Sequence, residues 1–391
     1  MKYFVRTALF ESGERLPVLH YTNTLEPVIL SMRYVINERR ETKKSGTIER
    51  DIRVIGFLYQ WADLRKLDLE SFLKEGNTFS PEQITSLCRY LRISRQINIK
   101  KADHEKDTVT YLSPLTFNNY LNVAKDFLKW AARNYISKKV TGGDIQAAIW
   151  EANDRIERSF SNNIVSGRNA QKEGLNKNEV ESIRTAFNPQ SSNNPFKPSL
   201  KFRNHIIFEL LLATGIRRGE LLKLKIRHLP QGPKKTLSVI RQPDSKDDPR
   251  RREPQVKTLE REIPLPAKLT KLLWEYVQNH RRKGRHQYLF TSHQQGSPME
   301  NSTVNSIFRL IRKKLFPETN FSPHTLRHTF NDNLVKTGIS QGLTENEIRK
   351  MQKYLNGWSE NSIMPELYTR KTIQADAFEL MKDYQTELYE I

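Results

Sequence analysis

Apolar side chains recur at helical spacing through the first third of the chain. Ile48, Ile52, Ile55, Tyr59 and Ala62 fall on one helical face, and Tyr120, Ala124, Phe127, Leu128 and Ala131 fall on another. Arg50, Arg53, Asn122, Lys125 and Lys129 occupy the other sides and read as a solvated surface. The helical pattern runs from about Leu25 to Tyr135, interrupted by a polar loop around Lys100–Lys106, and residues 1–24 read as a short extended arm. Between Ser159 and Gly174 the periodicity fades into Ser, Asn, Gly and charge, the signature of a linker.

Order resumes at Asn176-Lys177-Asn178-Glu179, an Asn cap with Glu three residues on, followed by Val180 and Ile183. After the proline-bearing loop Asn188–Ser199, the run Phe202–Ala213 predicts a buried helix and Glu220–Leu229 another. Thr236–Ile240 and Arg261–Leu265 predict two strands bracketing a charged excursion, Gln242–Thr258. Helices are then expected over Ala267–Arg282, Ser302–Leu315, Pro323–Lys336, Glu345–Leu355 and Thr372–Leu388. The fold class is therefore mostly α with a small β-sheet (α+β), divided into an arm (1–24), a helical domain (25–158), a linker (159–174) and a second domain (175–391).

Composition narrows the partners. The 391 residues carry 65 Lys and Arg against 44 acidic residues, a formal charge of +21. That excess favours a polyanion, because neutralising phosphates releases condensed counterions. The N-terminus lacks the apolar stretch and cleavage site of a secretory signal, and no apolar run reaches the length of a membrane span. The single cysteine, Cys88, excludes an intramolecular disulfide framework and a cysteine-rich zinc site. A cytoplasmic, nucleoid-associated protein with no membrane partner is expected.

Four segments carry candidate chemistry. In Thr214-Gly215-Ile216-Arg217-Arg218-Gly219-Glu220-Leu221 an apolar helix ends at Gly215 and a new one starts with Glu220 in its first turn, which leaves Arg217 at a rigid junction. In Ser322-Pro323-His324-Thr325-Leu326-Arg327-His328 a Ser cap and a first-turn Pro open a helix. His324, Arg327 and His328 then share one face near its positive end, where an anion is favoured. Zinc is not expected there, because Arg327 repels a cation and the Glu of a His-Glu-x-x-His site is absent. Lys257-Thr258 precedes the second strand, and Gly357-Trp358 lies ten residues before Tyr368-Thr369. Taken singly, each segment is satisfied by a turn, a surface cluster or a packing residue.

In order, Arg, Lys, His-x-x-Arg and Tyr resemble the tyrosine recombinase (phage integrase) family, with Thr-Gly-Ile-Arg-x-x-Glu-Leu and His-Thr-Leu-Arg-His-Thr-Phe as its most specific marks. The motifs span Leu175 to the C-terminus; ahead of them the likeness rests on a helical pattern of fitting length. The resemblance implies a helical core-binding domain and a catalytic domain clamped around double-stranded DNA. It implies that Arg217 and Arg327 hold the scissile phosphate, with Glu220 supporting Arg217. Tyr368 would attack to form a 3′-phosphotyrosine, and Lys257 would protonate the leaving 5′ oxygen. His324 would handle a proton or bond the phosphate. Trp358 stands where the family most often has His; an indole donates one hydrogen bond but shuttles no proton, so its role would be positional.

The chemistry suits these residue types. Planar, permanently charged guanidiniums grip an anionic transition state bidentately, and the phosphotyrosine conserves the bond so that ligation requires neither metal nor other cofactor. The resemblance further implies a tetramer on paired DNA sites, with accessory DNA-bending or directionality factors as further partners. Lys246, within the excursion, competes with Lys257 for the lysine role. A type IB topoisomerase-like enzyme and a non-catalytic DNA-binding regulator on the same fold are the rival readings.

Overall fold

The computed structural model describes residues 2–94, 110–139, 143–167, 173–242, 244–256 and 258–368, together with 378, 381–382 and 385–386. The chain divides into two compact units, Met1–Ala170 and Gln171–Ile391.

The first unit opens on an antiparallel hairpin, β1 (Tyr3–Leu9) with β2 (Arg15–Tyr21), in register Tyr3↔Tyr21 to Leu9↔Arg15. Within residues 1–24, read from sequence as an arm, Tyr3–Leu9 and Arg15–Tyr21 are thus strands paired with each other. Tyr3, Leu16 and Leu19 are buried in the unit's core, so hydrophobic burial anchors the segment. Among the described residues the α-helices that follow are α1 (Ile29–Tyr34), α2 (Ser45–Asp63), α3 (Leu69–Lys74), α4 (Pro81–Arg92), α5 (Pro114–Tyr135) and α6 (Ile145–Ser161). The predicted stripes are the buried faces of α2 and α5, with Tyr120 at the half-buried margin. Ser80 and Gln83 form a reciprocal cap on α4, and Ser113 caps α5 ahead of Pro114. Lys125 and Lys129, expected on a solvated face, both reach Glu157 of α6 (2.6 and 2.8 Å) and tie two helices together.

The second unit holds α7 (Lys177–Phe187), α8 (Pro198–Thr214), α9 (Arg218–Lys223), β3 (Thr236–Val239), β4 (Arg261–Pro264), α10 (Ala267–Glu275), α11 (Asn301–Leu315), α12 (Pro323–Ser340) and α13 (Glu345–Asn356). Helix α8 buries Ile206, Ile207, Phe208, Leu210 and Leu211, and Phe187 stacks on Phe208 with centroids 4.7 Å apart. β3 and β4 form one antiparallel ladder from Thr236↔Pro264 to Val239↔Arg261. The helix expected over Glu220–Leu229 is shorter, ending at Lys223 before a single turn at Ile226–His228. Most of the expected helix Thr372–Leu388 and all of the loop Lys100–Lys106 lie outside the described residues. Among the described residues no helix is long and apolar enough to cross a membrane.

Within the excursion between β3 and β4, Asp248, Arg250 and Glu253 are buried and paired rather than solvated. Arg250 donates to Asp248 (2.9 and 2.6 Å) and to the carbonyls of Leu222 and Met299 (3.0 and 3.1 Å). Tyr288 donates to the same Asp248 at 2.8 Å, and Lys223 of α9 pairs with Glu253 in a buried ion pair. Sequence pattern shows a charged stretch as polar; it does not show that the charges pair in the interior.

Candidate active site

Several chain segments converge on one polar cluster in the second unit. The first is the α8–α9 junction. Gly215 ends α8 in the left-handed region (φ 60°), where a Cβ would strike the Phe330 ring. Two residues on, the Arg217 backbone N–H donates to the Glu220 carboxylate at 2.7 Å, which closes the first turn of α9. Glu220 is fully buried. It accepts from Arg261 of β4 (3.0 and 3.2 Å) and from the Thr258 hydroxyl. Burial works against the Glu220 charge, but Arg261 and Thr258 outweigh it and hold the carboxyl below its ordinary value.

The second segment is the C-terminal end of α13. Gly357 is also left-handed (φ 61°), and a Cβ there would press on Leu259 O at 2.7 Å and Arg261 Nη1 at 2.8 Å. This close approach lets Leu259 N–H donate to Gly357 O at 3.0 Å and Arg261 Nε donate to Leu355 O at 2.6 Å. The β-hairpin, α9 and α13 are thereby locked together around Glu220 and Arg261.

The third segment is α12. Ser322 caps it through Thr325 N–H at 3.2 Å with Pro323 in the first turn, as the sequence predicts. Arg327 is buried. It donates to Gly215 O at 2.7 Å and to Asn356 O at 3.1 Å, and its guanidinium carbon lies 5.3 Å from the centre of the Trp358 ring. Arg217 reaches the same Asn356 carbonyl at 3.5 Å. Burial, and then the neighbouring Arg217 cation, pull the Arg327 pKa below its ordinary value. An anion between the two guanidiniums would offset both effects.

Tyr368 sits in a helical turn, 364–368, and is buried beside Trp358, which stacks on it at 6.0 Å with an 18° tilt. Its hydroxyl is 3.0 Å from His328 Nδ1, and the rings of His328 and His324 meet edge to face at 4.4 Å. Burial pushes the phenol up to about 12, against the pull of Arg327 and Arg217. Trp358 Nε1 is a buried donor without an acceptor among the described residues, as fits a group whose acceptor arrives with a ligand.

Of the residues marked from sequence, the structure brings together Arg217, Glu220, Arg327, Trp358 and Tyr368, with exposed His324 at the rim next to His328. Lys257 lies outside the described residues, and Lys246 is exposed. Sequence reasoning missed the contacts of three neighbours. His328 was visible as the i+4 partner of His324, but nothing in the pattern said that its ring meets Tyr368. Arg261 was visible as the first residue of a strand, not as the partner of Glu220. Asn356 contributes a backbone carbonyl, which no side-chain pattern marks.

The phage integrase family matches residues 173–374, just over half of the chain and all of the cluster described above. The chain is similar to tyrosine recombinase XerD of Halalkalibacterium halodurans, 24% identical over 205 residues, covering 51% of this chain and 59% of that protein. It is likewise similar to tyrosine recombinase XerD of Listeria innocua, 30% identical over 205 residues, 51% of this chain and 58% of that protein. The matched stretch thus spans somewhat under three fifths of the length of these relatives. Its fold is like that of the Tn1549 transposon integrase, solved in complex with a circular intermediate DNA, at a TM-score of 0.51 and 16% identity over 89% of this chain and 98% of that one. With the family model matched over more than half of the chain and across the whole of the cluster, this chain belongs to the phage integrase family.

Proposed function

We propose that the protein is a site-specific DNA recombinase that cuts and rejoins DNA through a 3′-phosphotyrosine on Tyr368. The observation that carries this reading is the buried Tyr368 hydroxyl on His328, in one cluster with two guanidiniums that share a carbonyl. Arg217 and Arg327 hold the non-bridging oxygens of the scissile phosphate and stabilise the charge that builds on them, the largest catalytic contribution in sites of this kind. Trp358 donates its indole N–H to the same phosphate. Glu220 acts through its hold on Arg217 and Arg261.

In the cleavage step the Tyr368 oxygen forms a bond to phosphorus while the bond from phosphorus to the 5′ oxygen breaks. The phenol proton passes to His328, with His324 beside it, and the leaving 5′ oxygen takes a proton from Lys257. Ligation reverses each transfer when a new 5′ hydroxyl attacks, and the energy of the old bond is retained in the phosphotyrosine. The first unit acts as the core-binding domain and the second as the catalytic one. Four protomers pair two sites and exchange strands two at a time through a Holliday junction, on chromosomal or mobile-element DNA in the cytoplasm, assisted by bending or directionality factors.

The test uses supercoiled plasmids carrying two copies of a sequence the protein binds, or none. The reading predicts recombinant circles from the two-site plasmid alone, with none from the Tyr368→Phe variant. Relaxation of both plasmids without exchange would favour a type IB topoisomerase-like enzyme. Binding with neither product would favour a non-catalytic regulator.

A further inference from the structure

Behind the two arginines lies a buried amide cluster that the chemistry above does not use. Asn331 of α12 and Asn356 at the end of α13 are both fully buried. Their side chains bond reciprocally: Asn331 Nδ2 donates to Asn356 Oδ1 at 3.1 Å, and Asn356 Nδ2 donates to Asn331 Oδ1 at 2.7 Å. Each amide is also tied to its own helix. Asn331 Nδ2 donates to Arg327 O at 2.9 Å and Asn356 Nδ2 to Gln352 O at 2.9 Å. Gln352, also buried, adds a donor to Asn331 Oδ1 at 3.3 Å.

Asn356 therefore has two faces. Its side chain is clamped to α12, and its backbone oxygen accepts from both Arg327 and Arg217. That oxygen belongs to the last turn of α13, where helix carbonyls have no partner in the helix and carry the negative end of its dipole. It is well suited to lie between two cations. A core that needed only to join α12 to α13 could do so with apolar side chains, whereas a paired amide fixes direction as well as distance.

We propose that Asn331 and Asn356 are positioning residues: their paired amides fix the Asn356 carbonyl that sets the spacing and orientation of Arg217 and Arg327 on the scissile phosphate. The inference rests on the recombinase reading, and it assigns to the amide pair no contact with DNA. A loosened carbonyl lets the guanidiniums drift, and small misplacements at a reacting centre are costly to rate while leaving binding spread over many phosphates almost untouched.

The experiment follows covalent complex formation on a nicked suicide duplex at saturating protein, for the parent, Asn331→Ala and Asn331→Ser. Rates are taken per folded molecule, below the onset of each variant's melting. Asn331→Ser keeps a small hydroxyl for Asn356 and guards against a variant that fails to fold. The expected result is a rate about 10- to 100-fold lower for Asn331→Ala, with an intermediate loss for Asn331→Ser and DNA affinity within about twofold of the parent. On a duplex with a neutral methylphosphonate at the scissile position the gap should close to about threefold or less, because less charge then requires the guanidiniums. A merely structural role would lower the melting temperature and leave both the rate per folded molecule and the methylphosphonate comparison unchanged, which overturns the inference while the recombinase reading stands. A parent that binds the duplex and forms no covalent complex overturns both.

Discussion

The Tyr368 hydroxyl shows how the surroundings of one residue set its chemistry. A phenol pushed up to about 12 is almost wholly protonated at neutral pH, so on the proposed reading its attack would depend on a neighbour that accepts the proton, and His328 Nδ1 lies 3.0 Å away. His328→Ala should slow covalent complex formation most at pH 7. The gap should narrow steadily toward pH 9, as hydroxide supplies the phenolate directly; a gap independent of pH would remove His328 from this role. Glu220 yields a second prediction. Its carboxyl is held below the ordinary value of 4.5, so the stability it contributes is present above that pH and lost as pH falls through the lowered value. Glu220→Gln leaves Arg261 buried without its counter-charge and should cost about 3–5 kcal/mol at pH 7 by urea unfolding. The difference from the parent should shrink as pH falls below the ordinary value of 4.5 and on through the lowered one, where the parent loses the charge too.

At the scale of elements, two left-handed glycines shape the site by ending helices where they do. Gly215 turns the chain from α8 into α9, with Phe330 occupying the space a Cβ would need. Gly215→Ala should destabilise the fold by about 2–5 kcal/mol, combining backbone strain with overpacking. Gly232, also at positive φ but with nothing within 4 Å, is the control, and its Ala variant should lose only about 1–2 kcal/mol. Equal losses at the two positions would refute the packing argument. Most of these elements were legible beforehand. The stripe Ile48, Ile52, Ile55 and the capped starts at Asn176 and Ser322 each depend on neighbours within one turn, and local pattern records such neighbours well. The hairpin Tyr3–Tyr21 was less legible because its strands alternate only loosely, and its burial depends on α2, which lies beyond any local window. The same limit hid the ion pairs of the excursion, where Lys223 and Glu253 are thirty residues apart. At the site, the motifs marked Arg217, Arg327 and Tyr368, whereas the parts played by Arg261 and Asn356 depend on β4 meeting α9 and on α13 meeting α12, contacts beyond any local window.

For the whole molecule, the charge of +21 favours a polyanionic partner and, on the proposed reading, would govern encounter with DNA more than specificity. DNA affinity should fall by about 10³-fold or more between 50 and 200 mM salt, if six or more phosphates are neutralised, and a mobility-shift titration would check it. A shallow dependence would mean that the basic residues face away from the duplex. The proposed chemistry is open to a suicide-duplex reaction run in EDTA, followed by protease digestion and mass spectrometry of the DNA-linked peptide. A phosphotyrosine mechanism yields a single peptide carrying a 3′-phosphoryl linkage on Tyr368. A linkage on another residue, or to a 5′ phosphate, would contradict it.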